Sequence, residues 1–177
     1  MTRLIEQGGD WDRRNRLKVY TAYHTLATSR NFTSAAQLLI DALPTFTATE
    51  LLPLDSFIQL TLLLATFSQE RTSLRTVLKS AEVASFYVAG SVRDLPDIEI
   101  GDLANALVAS EYAEFFRALA AVEEKVLASS RLMSRHKRFF ARELKVKAYR
   151  QLLESYRSLT IDSMAQAFGV SAEFVDK

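Results

Sequence analysis

Apolar side chains recur along most of this chain at the three- and four-residue spacing of a buried helix face, with short polar breaks between the runs. A first helix is expected from Asp10 or Asp12, where a short acid caps the opening turn, through Leu17, Tyr20 and His24 to about Ala27. Ser29-Arg30-Asn31 interrupts it. Phe32, Ala35, Ala36, Leu39 and Leu43 then form one face of a second helix, and so short a break makes the pair an antiparallel hairpin. The stretch from Phe57 to Phe67 is almost continuously apolar; its length favours a helix buried on most sides over a strand. Leu74, Val77, Leu78 and Ala81 give a further helical face. Residues from about Tyr87 to Gly101 hold two glycines, a proline and several acids, and read as a long connection.

The first hairpin has an echo. Phe32, Ala35, Leu39 and Ala42 correspond in spacing to Tyr112, Phe115, Leu119 and Val122, each set following a polar break (Arg30-Asn31; Ser110-Glu111). Self-similarity of this kind predicts stacked helical pairs, and the small-large-small series Ala35, Leu39, Ala42 fits the second helix of a tetratricopeptide-type repeat. Few glycines and prolines occur, and they sit at seams: Gly8-Gly9, Pro44, Pro53, Gly90, Pro96, Gly101 and Gly169.

Near the C-terminus Thr160 caps a helix whose apolar face is Ile161, Met164, Ala165 and Phe168. Gly169 ends it as a left-handed residue, Val170 fills the turn, Ser171 caps a second helix, and Phe174 and Val175 face back. This is a helix-turn-helix. The sequence stops at Lys177 within that second helix, which reads as a fragment of a longer protein.

Charge alters the picture only locally. Twenty-two Lys and Arg against 21 Asp and Glu leave a net charge of +1 in 177 residues, which singles out no partner. Residues 131 to 150, however, carry eight basic side chains and one acid, after nine acids and three bases in residues 81 to 130. Arg131, Arg135, Arg138, Arg142 and Lys145 step by four, three, four and three, which predicts one basic stripe along a helix with Phe140, Leu144 and Leu152 packing inward. A downstream helix-turn-helix makes nucleic acid one reading of that stripe. Glu173 and Asp176 in the second helix oppose it, because a recognition helix must approach a line of phosphates. Pairing with the acidic segment or with an acidic neighbouring subunit is the other reading.

Catalysis has little to stand on. Cysteine is absent, which removes disulfides, thiolate metal sites and cysteine nucleophiles. His24 and His136 are the only histidines, neither lies in a metal-binding spacing, and Gly8-Gly9 lacks the rest of a phosphate loop. Glu123-Glu124 and Asp94 with Asp97 suit solvated surface better than acid-base work. The apolar run Ser56 to Gln69 is too short for a membrane span, and no signal peptide is recognisable, so a soluble intracellular protein without enzymatic activity, cofactor or metal is expected.

Three blocks carry a resemblance. Gly9 to Tyr20 (GDWDRRNRLKVY), Gln151 to Thr160 (QLLESYRSLT) and Met164 to Val170 (MAQAFGV) closely resemble the PCI-domain subunits of the 26S proteasome regulatory lid. Thr45-Phe46-Thr47 and Phe115 to Glu123 agree more loosely, and residues from about Leu78 to Ala109 depart most. The resemblance implies an all-α fold: a right-handed, tetratricopeptide-like solenoid leading through a long helix into a truncated winged helix. The expected layout is helical repeats over 1–130, a long basic connecting helix over 131–157 and the start of a winged helix over 158–177, with a PCI domain over about 30–177. It further implies a non-catalytic scaffold, cytoplasmic and nuclear, meeting other lid subunits through its winged helix in ubiquitin-dependent degradation. On this view Ile161, Met164, Phe168, Gly169, Val170 and Phe174 form the winged-helix core, and Arg131, Arg135, Arg138, Arg142 and Lys145 are interface residues.

Overall fold

Helix punctuation sets the architecture, and the computed structural model describes it for residues 11–90, 98–154 and 160–175. The chain divides into two compact units, Met1–Arg93 and Asp94–Lys177. No strand occurs among the described residues, and no described helix is long and apolar enough to cross a membrane. The expected cap at Asp10, the seams at Gly8-Gly9 and Pro96, and the acids Asp94, Asp97 and Asp176 lie outside the described residues.

The first unit contains α1 (Trp11–Thr28), α2 (Phe32–Ala42), a 3-10 turn (Leu43–Thr45), α3 (Leu54–Ser68), α4 (Arg71–Leu78) and α5 (Ala81–Gly90). The side chain of Asn31 accepts from the Ser34 N–H at 3.0 Å and so starts α2. The inner face of α2 is small at Ala35, Ala36 and Ala42, all fully buried, which lets α1 and α3 approach on either side. Phe32 meets Phe67 edge-on at 5.4 Å, and Phe46 stacks on Phe57 at 4.1 Å. α3 is the buried centre: Phe57, Ile58 and every residue from Thr61 to Thr66 are buried. Two threonines are tolerated there because their hydroxyls donate to carbonyls one turn back, Thr61 to Phe57 at 2.7 Å and Thr66 to Leu62 at 2.8 Å. Ala81 does not extend the face of Leu74 and Val77 as expected; Lys79 and Ser80 break the helix, and Ala81 opens α5 in an exposed position, while Val83 is the buried residue.

The second unit contains α6 (Ile98–Ala109), α7 (Tyr112–Ala121), a π-helical turn (Val122–Leu127), a 3-10 turn (Ser134–His136), α8 (Lys137–Leu153), α9 (Ile161–Phe168) and α10 (Ala172–Val175). The long connection expected from Tyr87 to Gly101 is shorter at both ends, since α5 runs to Gly90 and α6 begins at Ile98. Gly101 is held inside α6 because Ile100, Leu103, Ala104 and Leu107 are buried there, which outweighs a glycine penalty of about 1 kcal/mol.

The echo between the hairpins extends to the backbone. Arg30 and Ser110, each two residues before the equivalent aromatic, both adopt left-handed conformations with φ of 53° and 65°. The next residues, Asn31 (φ −85°, ψ 81°) and Glu111 (φ −88°, ψ 75°), match as well. The eight residues of the shared ladder are all buried. One hairpin lies in each unit, so the boundary at 93/94 falls within the stretch expected to be one helical-repeat part over 1–130.

Candidate functional site: the aromatic anchor and the basic helix

α8 turns Phe140, Ala141, Leu144, Ala148 and Leu152 inward. Its start is decided by Ser130, whose hydroxyl accepts from the Met133 N–H at 3.2 Å and whose carbonyl accepts from the Ser134 N–H at 3.0 Å. This turn, closed over the buried Met133, competes with continuous helix. The basic helix therefore begins at Lys137, not at 131, and the expected five-residue stripe is broken. Arg131 precedes it and Arg135 sits in the 3-10 turn; only Arg138, Arg142 and Lys145 share a helix face. The four arginines are exposed. Arg142 lies 3.2 Å from Glu143, and among the described residues none of the five pairs with an acid of the 81–130 segment. Lys145 instead places its ammonium 4.5 Å above the Phe174 ring.

The helix-turn-helix is held by one aromatic. Phe168, 1% exposed, meets Tyr112 at 5.5 Å, Phe116 at 5.0 Å and Tyr149 at 4.8 Å, so rings from α7 and α8 enclose it. Desolvation there pushes the Tyr149 hydroxyl above the usual tyrosine range. Thr160 caps α9 by accepting from the Ser163 N–H at 3.2 Å. At the other end Gly169 (φ 64°) donates to the Gln166 carbonyl at 3.2 Å, and Val170 donates to the Ala165 carbonyl at 3.0 Å, a Schellman closure. A Cβ on Gly169 would stand 3.3 Å from the Ala113 Cβ, so glycine serves both the left-handed backbone and the close approach to α7.

Two residues assigned to the winged-helix core lie elsewhere. Ile161 is 48% exposed, because only the C-terminal half of α9, through Ala165 and Phe168, reaches the aromatic cluster. Phe174 is 41% exposed and touches Phe116 with its ring at 6.3 Å between centroids. Met164 and Val170 are half-buried, and the side chain of Val175 lies outside the described residues.

Gln151 escapes notice in the sequence. Its amide nitrogen reaches from α8 to the α6–α7 turn, 2.9 Å from the Leu107 carbonyl, 3.3 Å from the Ser110 hydroxyl and 3.4 Å from the Tyr112 hydroxyl. Ser110 is the left-handed residue of a second Schellman closure, with Glu111 donating to the Ala106 carbonyl at 2.9 Å. Gln151 thus fixes the hairpin and the Tyr112 wall of the anchor together. A polar residue on the otherwise apolar inner face of α8 is the signal that marks it.

His24 is exposed, His136 lies in the other unit, and no group of three or more metal-ligating side chains occurs among the described residues. What the unit offers is surface: exposed arginines, exposed apolar side chains on α8, α9 and α10, and a helix-turn-helix pinned by Phe168.

Comparison with known proteins gives two successive matches. Residues 1–77 match the family described as 26S proteasome subunit RPN7, and residues 98–177 match the PCI domain. The PCI match thus begins well after residue 30, and residues 78–97, within the stretch that departs most from the family pattern, lie between the two. The 26S proteasome regulatory subunit RPN7 of Saccharomyces cerevisiae is 43% identical over 174 residues, 98% of this chain and 39% of that protein. The rpn7 subunit of Schizosaccharomyces pombe is 41% identical over 175 residues, 98% of this chain and 43% of that protein. The 26S proteasome non-ATPase regulatory subunit 6 of Oryza sativa subsp. japonica is likewise 41% identical over 175 residues, with the same shares. The chain therefore spans less than half the length of these relatives. An RPN7 stretch followed in order by a PCI-domain stretch, with relatives alike across both, makes the chain similar along nearly its whole length to RPN7-type 26S proteasome regulatory subunits.

Proposed function

We propose that the protein is a non-catalytic scaffold subunit of the proteasome regulatory lid, acting by protein–protein assembly in ubiquitin-dependent degradation in the cytoplasm and nucleus. The carrying observation is the end-to-end likeness to 26S regulatory subunits across 98% of the chain. The all-helical framework supports it: two matching hairpins suit a right-handed helical solenoid, and α9 with α10 suits the opening of a winged helix. The partners are other lid subunits, met through the winged helix, with the exposed arginines as interface residues. Nucleic acid as an alternative partner gains no support, since the basic residues are not one stripe and α10 presents Glu173.

The test is affinity purification of the tagged full-length protein from its own cells, followed by mass spectrometry. Recovery of lid subunits in near-equal amounts is the expected result. Recovery of the protein alone, or with nucleic acid that salt removes, would overturn the reading.

A further inference from the structure

α8 is apolar on two opposite faces. Its inner face is the buried set from Phe140 to Leu152. On the far side Phe139, Val146 and Leu153 are 46%, 38% and 47% exposed. These three stand seven residues apart, so on a helix they fall within about 40° of one another, one above the next. Scattered exposed apolar residues need no explanation, but three in register along the centre of the outward face supply one of the two apolar positions per heptad that a helix uses to pack against another helix. Between the last two, Val146, Tyr149, Arg150, Leu153 and Glu154 line a shallow depression of about 450 Å³.

Charge selects the occupant. One edge of the seam carries Arg138 and Arg142, and the first has no ion-pair partner among the described residues. The other edge is mixed, with Glu143, Arg150 and Glu154. A second copy packed antiparallel would set its arginine edge against this one, so like charge opposes that pairing. We propose that the outward face of α8 seats an amphipathic helix of a partner protein, apolar along its seam and acidic along the flank that meets Arg138 and Arg142. The surface borders the helix-turn-helix through Tyr149, which touches Phe168, and it deepens the scaffold reading by naming a second docking face and the chemistry it takes.

The probe is a pair of labelled synthetic helices about three heptads long, with leucine at the seam positions and either Glu or Lys at the flanks. Each is titrated into the 177-residue chain by fluorescence anisotropy. The Glu-flanked helix is expected to bind about tenfold more tightly than its Lys twin at low salt, and the gap to narrow as salt rises. Val146→Glu with Leu153→Glu should weaken binding by about tenfold or more, and Arg138→Glu with Arg142→Glu should reverse the preference between the twins. Val146→Ser with Leu153→Ser serves if the glutamates disturb folding. Equal binding of the twins, or binding unchanged by the seam substitutions, overturns the proposal. A dimer in sedimentation that the seam substitutions dissolve also overturns it and makes a second copy the occupant. Lid subunits recovered from cells without any preference between the twins would remove this inference alone. A clear preference with no lid subunits recovered would remove the scaffold assignment and leave the docking face standing.

Discussion

Phe168→Ala should release the helix-turn-helix while leaving the rest of the second unit folded. Only Ala165 and Phe168 of α9 are buried, so the helix depends on one ring. Emptying a fully buried phenylalanine site costs about 3–5 kcal/mol, which includes the three ring contacts to Tyr112, Phe116 and Tyr149. A helix of eight residues has no independent stability in water, so the loss appears as local opening. Hydrogen exchange read by mass spectrometry resolves this. At 1.4 kcal/mol per decade, amides of Met164 to Phe168 should lose about a hundred- to a thousandfold in protection, or fall to the free-peptide rate, while Leu144 to Leu152 in α8 change little. Phe168→Leu keeps apolar volume and loses mainly the edge contacts, so it should lose only about tenfold. If Phe168→Ala leaves α9 within about threefold of the wild type, or if α8 opens equally, the single-anchor account is wrong.

Gln151→Ala should destabilise the second unit by about 1–2 kcal/mol by removing the donor to the Leu107 carbonyl, and Gln151→Glu, which keeps the size and loses that donor, should do no better; urea midpoints compare them. Arg30→Gly should stabilise by about 0.5–1 kcal/mol in thermal melts, because it relieves a left-handed backbone at φ 53° and costs some chain entropy in the unfolded state. Glu50 carries a carboxyl lowered from 4.5 by its own backbone N–H, then by the Tyr20 hydroxyl at 3.0 Å and by Arg16. Its folded value lies below its unfolded one, so its contribution is complete above 4.5 and fades as pH falls through the lowered value. Glu50→Gln should therefore lose less stability than the wild type between neutral pH and a pH well below 4.5, and equal losses would count against the Tyr20–Glu50–Arg16 contact.

Local periodicity and capping by themselves determined the helices, the hairpin breaks, the equivalent ladders at Phe32 and Tyr112, and the Gly169 turn, because each depends on neighbours within one or two helical turns. The block from Gly9 to Tyr20 and those from Gln151 to Val170 likewise carried the resemblance with no fold in view. Tertiary structure decided what local spacing does not encode. The stepping of Arg131 to Lys145 fits a continuous helix, yet burial of Met133 and the Ser130 turn delay the start of that helix to Lys137. Ile161 shares its helix face with Phe168, but α7 reaches only the latter, so exposure differs by half a side chain's surface. Gln151 reads as one more polar residue until α8 brings it within 2.9 Å of a carbonyl 44 positions away. Burial is a property of what packs opposite, and a periodic sequence states which side chains share a face without stating where the opposing surface ends.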